Sequence, residues 1–136
     1  MIEVKILYED TEVLVCIKPP GMAAQAERSS SMDLVSWLKN YLVGKQSGGG
    51  KGGPYIGVVH LLDRPVGGVM VYAKNPKAAA DLSRQFSEHQ TEKNYLALLT
   101  GRLPQASGVL TDYLERDGRT NMSKVVSKGG KKASLF

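Results

Sequence analysis

The sequence predicts an α+β fold, a mixed and mainly antiparallel sheet with two flanking helices. Three observations lead there. Short β-rich runs are separated by turn residues rather than by helices. Two segments carry apolar residues at helical spacing. The richest concentration of chemical groups, His60 to Gly68, lies between two apolar runs.

Val4 to Tyr8 and Val13 to Lys18 read as strands, and Glu9-Asp10-Thr11-Glu12 between them reads as a turn, so a hairpin opens the chain. Lys18-Pro19-Pro20-Gly21-Met22 stops the second strand. Ser30-Ser31-Met32-Asp33 offers a capping box with Ser30 as N-cap. Leu34, Val35, Leu38, Tyr41 and Leu42 then fall on one face of a helix, and Trp37 flanks that face. Gly44 to Gly53 is so rich in glycine that it predicts a flexible coil. It lacks the Gly-Lys-Ser/Thr ending of a phosphate-binding loop, which excludes a nucleotide triphosphate site there.

Tyr55 to Val59 and Val69 to Val71 read as strands around the central motif. Asn75-Pro76 is a helix start, Asn as N-cap and Pro at the first helical position. Ala78, Ala79, Leu82 and Phe86 continue that helix to about His89. Lys93 to Gly101 alternates and predicts a strand, with Lys93, Tyr95, Ala97 and Leu99 on one face. Ser107 to Leu114 predicts another. Asp117 to Lys132 is polar and rich in Gly and Lys, a long loop or a hairpin. Lys131 to Phe136 begins a further strand.

Composition narrows the function. At 136 residues the chain is one domain at most, and an apolar fraction of 42% is enough for a core. The net charge of +5 and pI near 9.4 favour a polyanionic partner. Cys16, the sole cysteine, sits in an apolar run and reads as a buried thiol, so neither a disulfide framework nor a thiolate metal cluster fits within one chain. No apolar run approaches the roughly 18 residues of a membrane span, and the start has no signal-peptide pattern, so a soluble, cytoplasmic protein is expected.

The chemistry concentrates in His60-Leu61-Leu62-Asp63-Arg64-Pro65-Val66-Gly67-Gly68. A carboxylate on a tight connection between strands is a common catalytic placement. An ordinary β-turn, with Asp capping amides and Arg solvated, explains the same residues.

These residues resemble the RluA-type pseudouridine synthases, whose motif runs H-R-L-D-x-x-T-S-G, then an apolar strand and an Ala-Lys pair. His60, Leu62, Asp63 and Gly68 match, and Ala73-Lys74 follows; Leu61, Val66 and Gly67 replace the family's Arg, Thr and Ser. Ile6 to Asp10 and Ile17 to Gly21 resemble the family's opening pattern. Lys93 to Gly101 resembles its K-x-Y-x-A-L-V-x-G motif. The 32 residues from Asp63 to Tyr95 match the family's spacing.

The resemblance implies an enzyme that isomerises uridine to pseudouridine in ribosomal or transfer RNA, without metal, redox cofactor or nucleotide. It implies that Asp63 is the essential carboxylate, acting covalently or as a base at the sugar. It implies that Tyr95 stacks on the target base; a half-buried core Tyr is the plainer reading. Arg64 and Lys93 become phosphate contacts or ion-pair partners of Asp63. Lys18 is expected to approach RNA. His60 contacts the backbone of the RNA or is held structurally. Gly68 admits close approach of backbone, and Leu61 occupies the place of an Arg that takes part in base extrusion. The resemblance spans the whole chain but only the N-terminal portion of the family's catalytic domain, without its later T-G-R-x-H-Q-I-R motif, so a truncated catalytic unit is expected. The alternative is a non-catalytic RNA-binding or interaction fragment of the same fold, supported by Leu61. A third reading is a basic globular domain with no RNA function.

Overall fold

The computed structural model describes residues 3–25, 32–45, 53–120 and 122–136. They divide into two compact units, Met1–Asn94 and Tyr95–Phe136.

The first unit begins with the hairpin. Strands β1 (Lys5–Glu9) and β2 (Val13–Lys18) pair antiparallel, with an irregularity between Ile6 and Tyr8. Asp10 makes the turn. Its carboxylate accepts from the Glu12 and Val13 amides, both at 2.7 Å, and from the Tyr8 hydroxyl at 2.8 Å. An Asp that bonds its own following amides substitutes for a backbone turn. Those bonds, led by the one from Val13, lower its pKa from the ordinary value.

Helix α1 (Leu34–Lys45) starts at Asp33, whose side chain accepts from the Ser36 amide at 2.7 Å. Asp33 is therefore the N-cap, and the expected cap Ser30 lies outside the described residues. Asp closes the first turn better placed, directly before the apolar face begins. Leu34, Leu38 and Leu42 are buried, and each contributes about 1.5–3 kcal/mol by leaving water. Trp37 stacks on Tyr41 at 5.7 Å and packs at the rim of the core. Gly44 and Lys45, expected in the coil, close the helix; the rest of that coil, 46–52, lies outside the described residues.

Strand β3 is only Gly57–Val58, shorter than the expected run, and pairs with β4 (Gly68–Ala73). The sheet order is β1-β2-β4-β3, antiparallel throughout. The β2–β4 register sets Leu14 opposite Tyr72 and Cys16 opposite Met70. These four are fully buried with the α1 leucines and form the core. Burial pushes the Cys16 thiol up to about 11, so it is inert packing. Helix α2 (Pro76–Ser87) is capped by Asn75, which accepts from the Ala78 amide at 2.8 Å. It packs on β3 and β4.

In the second unit, β5 (Leu110–Asp117) lies between β6 (Met122–Val125) and β7 (Lys131–Leu135) in an antiparallel sheet. The polar stretch from Asp117 is thus a hairpin. Leu110 faces Leu135 and Leu114 faces Val125, while Tyr113 faces Lys132 on the opposite side. Lys93 to Gly101, expected as a strand, is not one. Alternation sets up a strand only where a neighbouring edge meets its amides and carbonyls, and among the described residues none pairs with it. Leu96 and Leu98 are fully exposed there.

Candidate active site

Asp63 to Val66 form a turn closed by the Val66 amide donating to the Asp63 carbonyl at 3.0 Å. Two strand ends hold it: β4 begins just after it at Gly68, and the loop leaving β2 at Lys18 packs against it. The Gly21 amide donates to the Arg64 carbonyl at 2.7 Å, and Arg64 Nε donates to the Gly21 carbonyl at 2.8 Å. This reciprocal pair zips the Pro-Pro-Gly loop to the turn.

Lys18 fastens the seam from below. It is fully buried, and its Nζ donates to the carbonyls of Met22 at 2.7 Å, Arg64 at 3.1 Å and Pro19 at 3.2 Å. The three acceptors use all the donors an ammonium has. Lys18 was expected to approach RNA; it turns inward instead, where three backbone carbonyls meet its ammonium. Burial lowers its pKa, and the negative charge of Asp63 partly opposes that.

Glycines make the seam possible. A Cβ on Gly67 would stand 3.1 Å from Pro20 Cδ and 3.4 Å from the Lys18 carbonyl. Gly68 has φ +157°, and a Cβ there would stand 3.2 Å from Leu62 Cδ1. Leu62 points inward to the core, whereas Leu61 is 63% exposed beside Asp63.

The Asp63 side chain is exposed and accepts no hydrogen bond among the described residues. Arg64 does not pair with it, since its Nε is turned to Gly21. Of the two roles expected for Arg64, the ion pair with Asp63 is therefore not formed. His60 Nε2 accepts from the Val71 amide at 3.0 Å, and its ring stacks on Phe86 of α2 at 4.7 Å between centroids. Burial first, and the Lys93 charge second, lower the pKa of His60. The first unit thus brings Lys18, His60, Leu61, Asp63, Arg64, Gly68 and Lys93 into one body. Tyr95 belongs to the second unit and is 59% exposed.

Sequence reasoning missed the Gly21, Val71 and Phe86 partners. The Lys-Pro-Pro-Gly run was the available signal for the first. A cleft of about 190 Å³ lined by Glu9, Leu42, Lys45, Pro54, Tyr55 and Lys74 contains none of the turn residues. Among the described residues no cluster of His, Cys, Asp and Glu is arranged to hold a metal ion. No described helix is long and apolar enough to cross a membrane.

The profile of the family described as RNA pseudouridylate synthase matches residues 12–136. This chain belongs to that family. It is similar to an uncharacterized RNA pseudouridine synthase of Aquifex aeolicus (36% identity over 97% of this chain and 42% of the relative). It is also similar to the ribosomal large subunit pseudouridine synthase D of Zymomonas mobilis (35% identity; 97% of this chain, 42% of the relative). A third is the tRNA pseudouridine synthase C of Haemophilus ducreyi (33% identity; 82% and 42%). The chain therefore spans about two fifths of the length of these relatives. In fold, it resembles the solved human RNA pseudouridylate synthase domain containing 4, with a TM-score of 0.63 at 20% identity over 96% of this chain and 51% of that one.

Proposed function

We propose that this chain is the N-terminal portion of a pseudouridine synthase catalytic domain and carries the carboxylate side of its active site, with ribosomal or transfer RNA as substrate. In the reaction the bond between uracil N1 and ribose C1′ breaks, a bond from uracil C5 to C1′ forms, the C5 proton leaves to solvent, and N1 takes up a proton in its place. Asp63 acts at the ribose, either by adding to it or by taking a proton from it. Tyr95 stacks on the target base, an interaction of about 1–3 kcal/mol for an aromatic side chain. Lys93 and the free edge of the Arg64 guanidinium meet phosphates. Gly68 keeps the backbone low enough for RNA to approach. One observation carries this reading: Asp63 is exposed and, among the described residues, unpaired, on a turn that Lys18, Gly21 and Arg64 hold. A catalytic group held on rigid elements retains its aim.

The experiment is incubation of the chain with ribosomal and transfer RNA, digestion to nucleosides, and separation of pseudouridine from uridine. New pseudouridine supports the proposal; none with either RNA overturns it. Leu61 favours a second reading, a non-catalytic RNA-binding member, because Leu cannot donate the hydrogen bonds of the Arg it replaces. RNA retention without pseudouridine would establish that reading.

A further inference from the structure

The hydrogen bond between His60 and Val71 has a role in the sheet. β3 meets β4 with Gly57 opposite Ala73 and Val58 opposite Tyr72. Continued one step, that register would set Val59 opposite Val71, and the Val71 amide would find a strand carbonyl. The ladder stops instead at Val58. The Val71 amide donates to His60 Nε2 at 3.0 Å. An imidazole nitrogen thus stands where a backbone acceptor would, and an otherwise unmet donor in a part-buried strand is satisfied. The chain is released from the ladder, and three residues later it forms the Asp63 turn. Phe86, stacked on the imidazole with 14° between planes, fixes the ring from the α2 side.

We infer that His60 is a positioning residue: its neutral ring replaces a strand carbonyl for Val71, ends β3, and anchors the near side of the Asp63 turn to β4 and α2. The assignment rests on the proposed role of Asp63, which it deepens. An acceptor Nε2 leaves the ring proton on Nδ1, a tautomer set by this hydrogen bond. The ring face is taken by Phe86 and Nε2 by Val71. His60 therefore acts on the reaction through the turn and not by touching RNA through those groups. The far side of the same turn is held by Lys18 and Gly21, so the carboxylate is braced from both directions. Gln can present an acceptor at similar reach, whereas Leu fills the space without one.

The test compares the full chain with His60→Gln and His60→Leu by amide hydrogen exchange and by turnover. His60→Leu should speed exchange on the order of tenfold at Val71, the weight of about one hydrogen bond, and also at Val66, whose amide closes the Asp63 turn. His60→Gln should leave both protected. In turnover, His60→Leu should lower kcat by about tenfold to a hundredfold with RNA affinity unchanged, as misaligned reactants do, and His60→Gln should recover most of it. Faster exchange at Val71 with Val66 unaffected would overturn the positioning role, as would equal behaviour of the two variants. If the unmodified chain shows no turnover, the proposed function fails, while the exchange comparison still decides the anchoring. If His60→Leu does not fold, the wild-type ring nitrogens decide it: a protonated Nε2 overturns the inference, and an unprotonated, hydrogen-bonded Nε2 upholds it.

Discussion

The Lys18 ammonium and the Arg64 carbonyl lie 3.1 Å apart, so the strand that ends at Lys18 grips the backbone of the residue after Asp63. A cation is expensive to bury and is kept inside only where its hydrogen bonds are met. Here they are met by three carbonyls, of which the Met22 carbonyl has no other donor among the described residues.

Lys18→Met keeps most of the side-chain volume and removes the donors. Leaving the buried Met22 carbonyl unmet should cost about 1–3 kcal/mol of folding stability. Urea denaturation of the two chains checks this. Unchanged stability would mean that water replaces the ammonium.

How far the sequence could be read follows from which forces are local. The hairpin at Asp10 and the helix start at Asn75-Pro76 are set by residues within three or four positions, and both stand where expected. The α1 face was legible because its leucines repeat at helical spacing. The N-cap was misplaced because Ser30 and Asp33 both fit a capping pattern, and only the position of the core chooses between them. Lys93 to Gly101 has a strand's alternation, yet a strand is a property of two segments, and its partner cannot be read from one. Lys18 shows the same limit in the candidate site. The resemblance of its segment set Lys18 toward RNA, and the three carbonyls that hold it come from Pro19, Met22 and the distant Arg64.

Glu9 joins three groups: Lys45 at 2.8 Å, Lys74 at 2.9 Å and the Tyr41 hydroxyl at 3.0 Å. The Lys45 ammonium first, then Lys74 and Tyr41, hold its pKa down at about 2, against an ordinary 4.5. A depressed carboxylate stabilises the fold above its unfolded value. That contribution is present in full above pH 4.5 and is lost as pH falls from there through about 2. Glu9→Gln should cost about 1 kcal/mol at neutral pH, the upper range for partly exposed pairs. The gap between wild type and variant should close across that acid window. A gap independent of pH would show that the ion pairs contribute nothing.

Residues 95–136 contain seven Lys and Arg against three Asp and Glu, so they hold +4 of the chain's +5. RNA binding by the whole chain should therefore be largely electrostatic. The logarithm of affinity should fall linearly with the logarithm of salt, with a slope of roughly −0.7 per phosphate contacted on a single strand. Filter binding across a salt series measures it. A flat line would remove phosphate contacts from the account.

Leu61 is exposed beside Asp63 where the resemblance places an Arg. Extruding a base costs a few kcal/mol in a stem and least in an unpaired strand. Leu61→Arg should raise the rate on a structured uridine more than on a single-stranded one, by about tenfold, or about 1.4 kcal/mol of barrier. Two variants on two substrates give the answer. Equal gains, or no gain, would show that extrusion does not depend on this position.

The central claim is that the Asp63 carboxylate performs the chemistry from a turn that Lys18, Gly21 and Arg64 hold in place. Tritium release from RNA labelled at uracil C5, measured with wild type and Asp63→Asn, tests it most directly. Asn retains the shape and removes the charge. The account predicts release by wild type and none by Asp63→Asn, with RNA affinity of the variant within a few-fold of wild type. Tritium release by Asp63→Asn at the wild-type rate would contradict it.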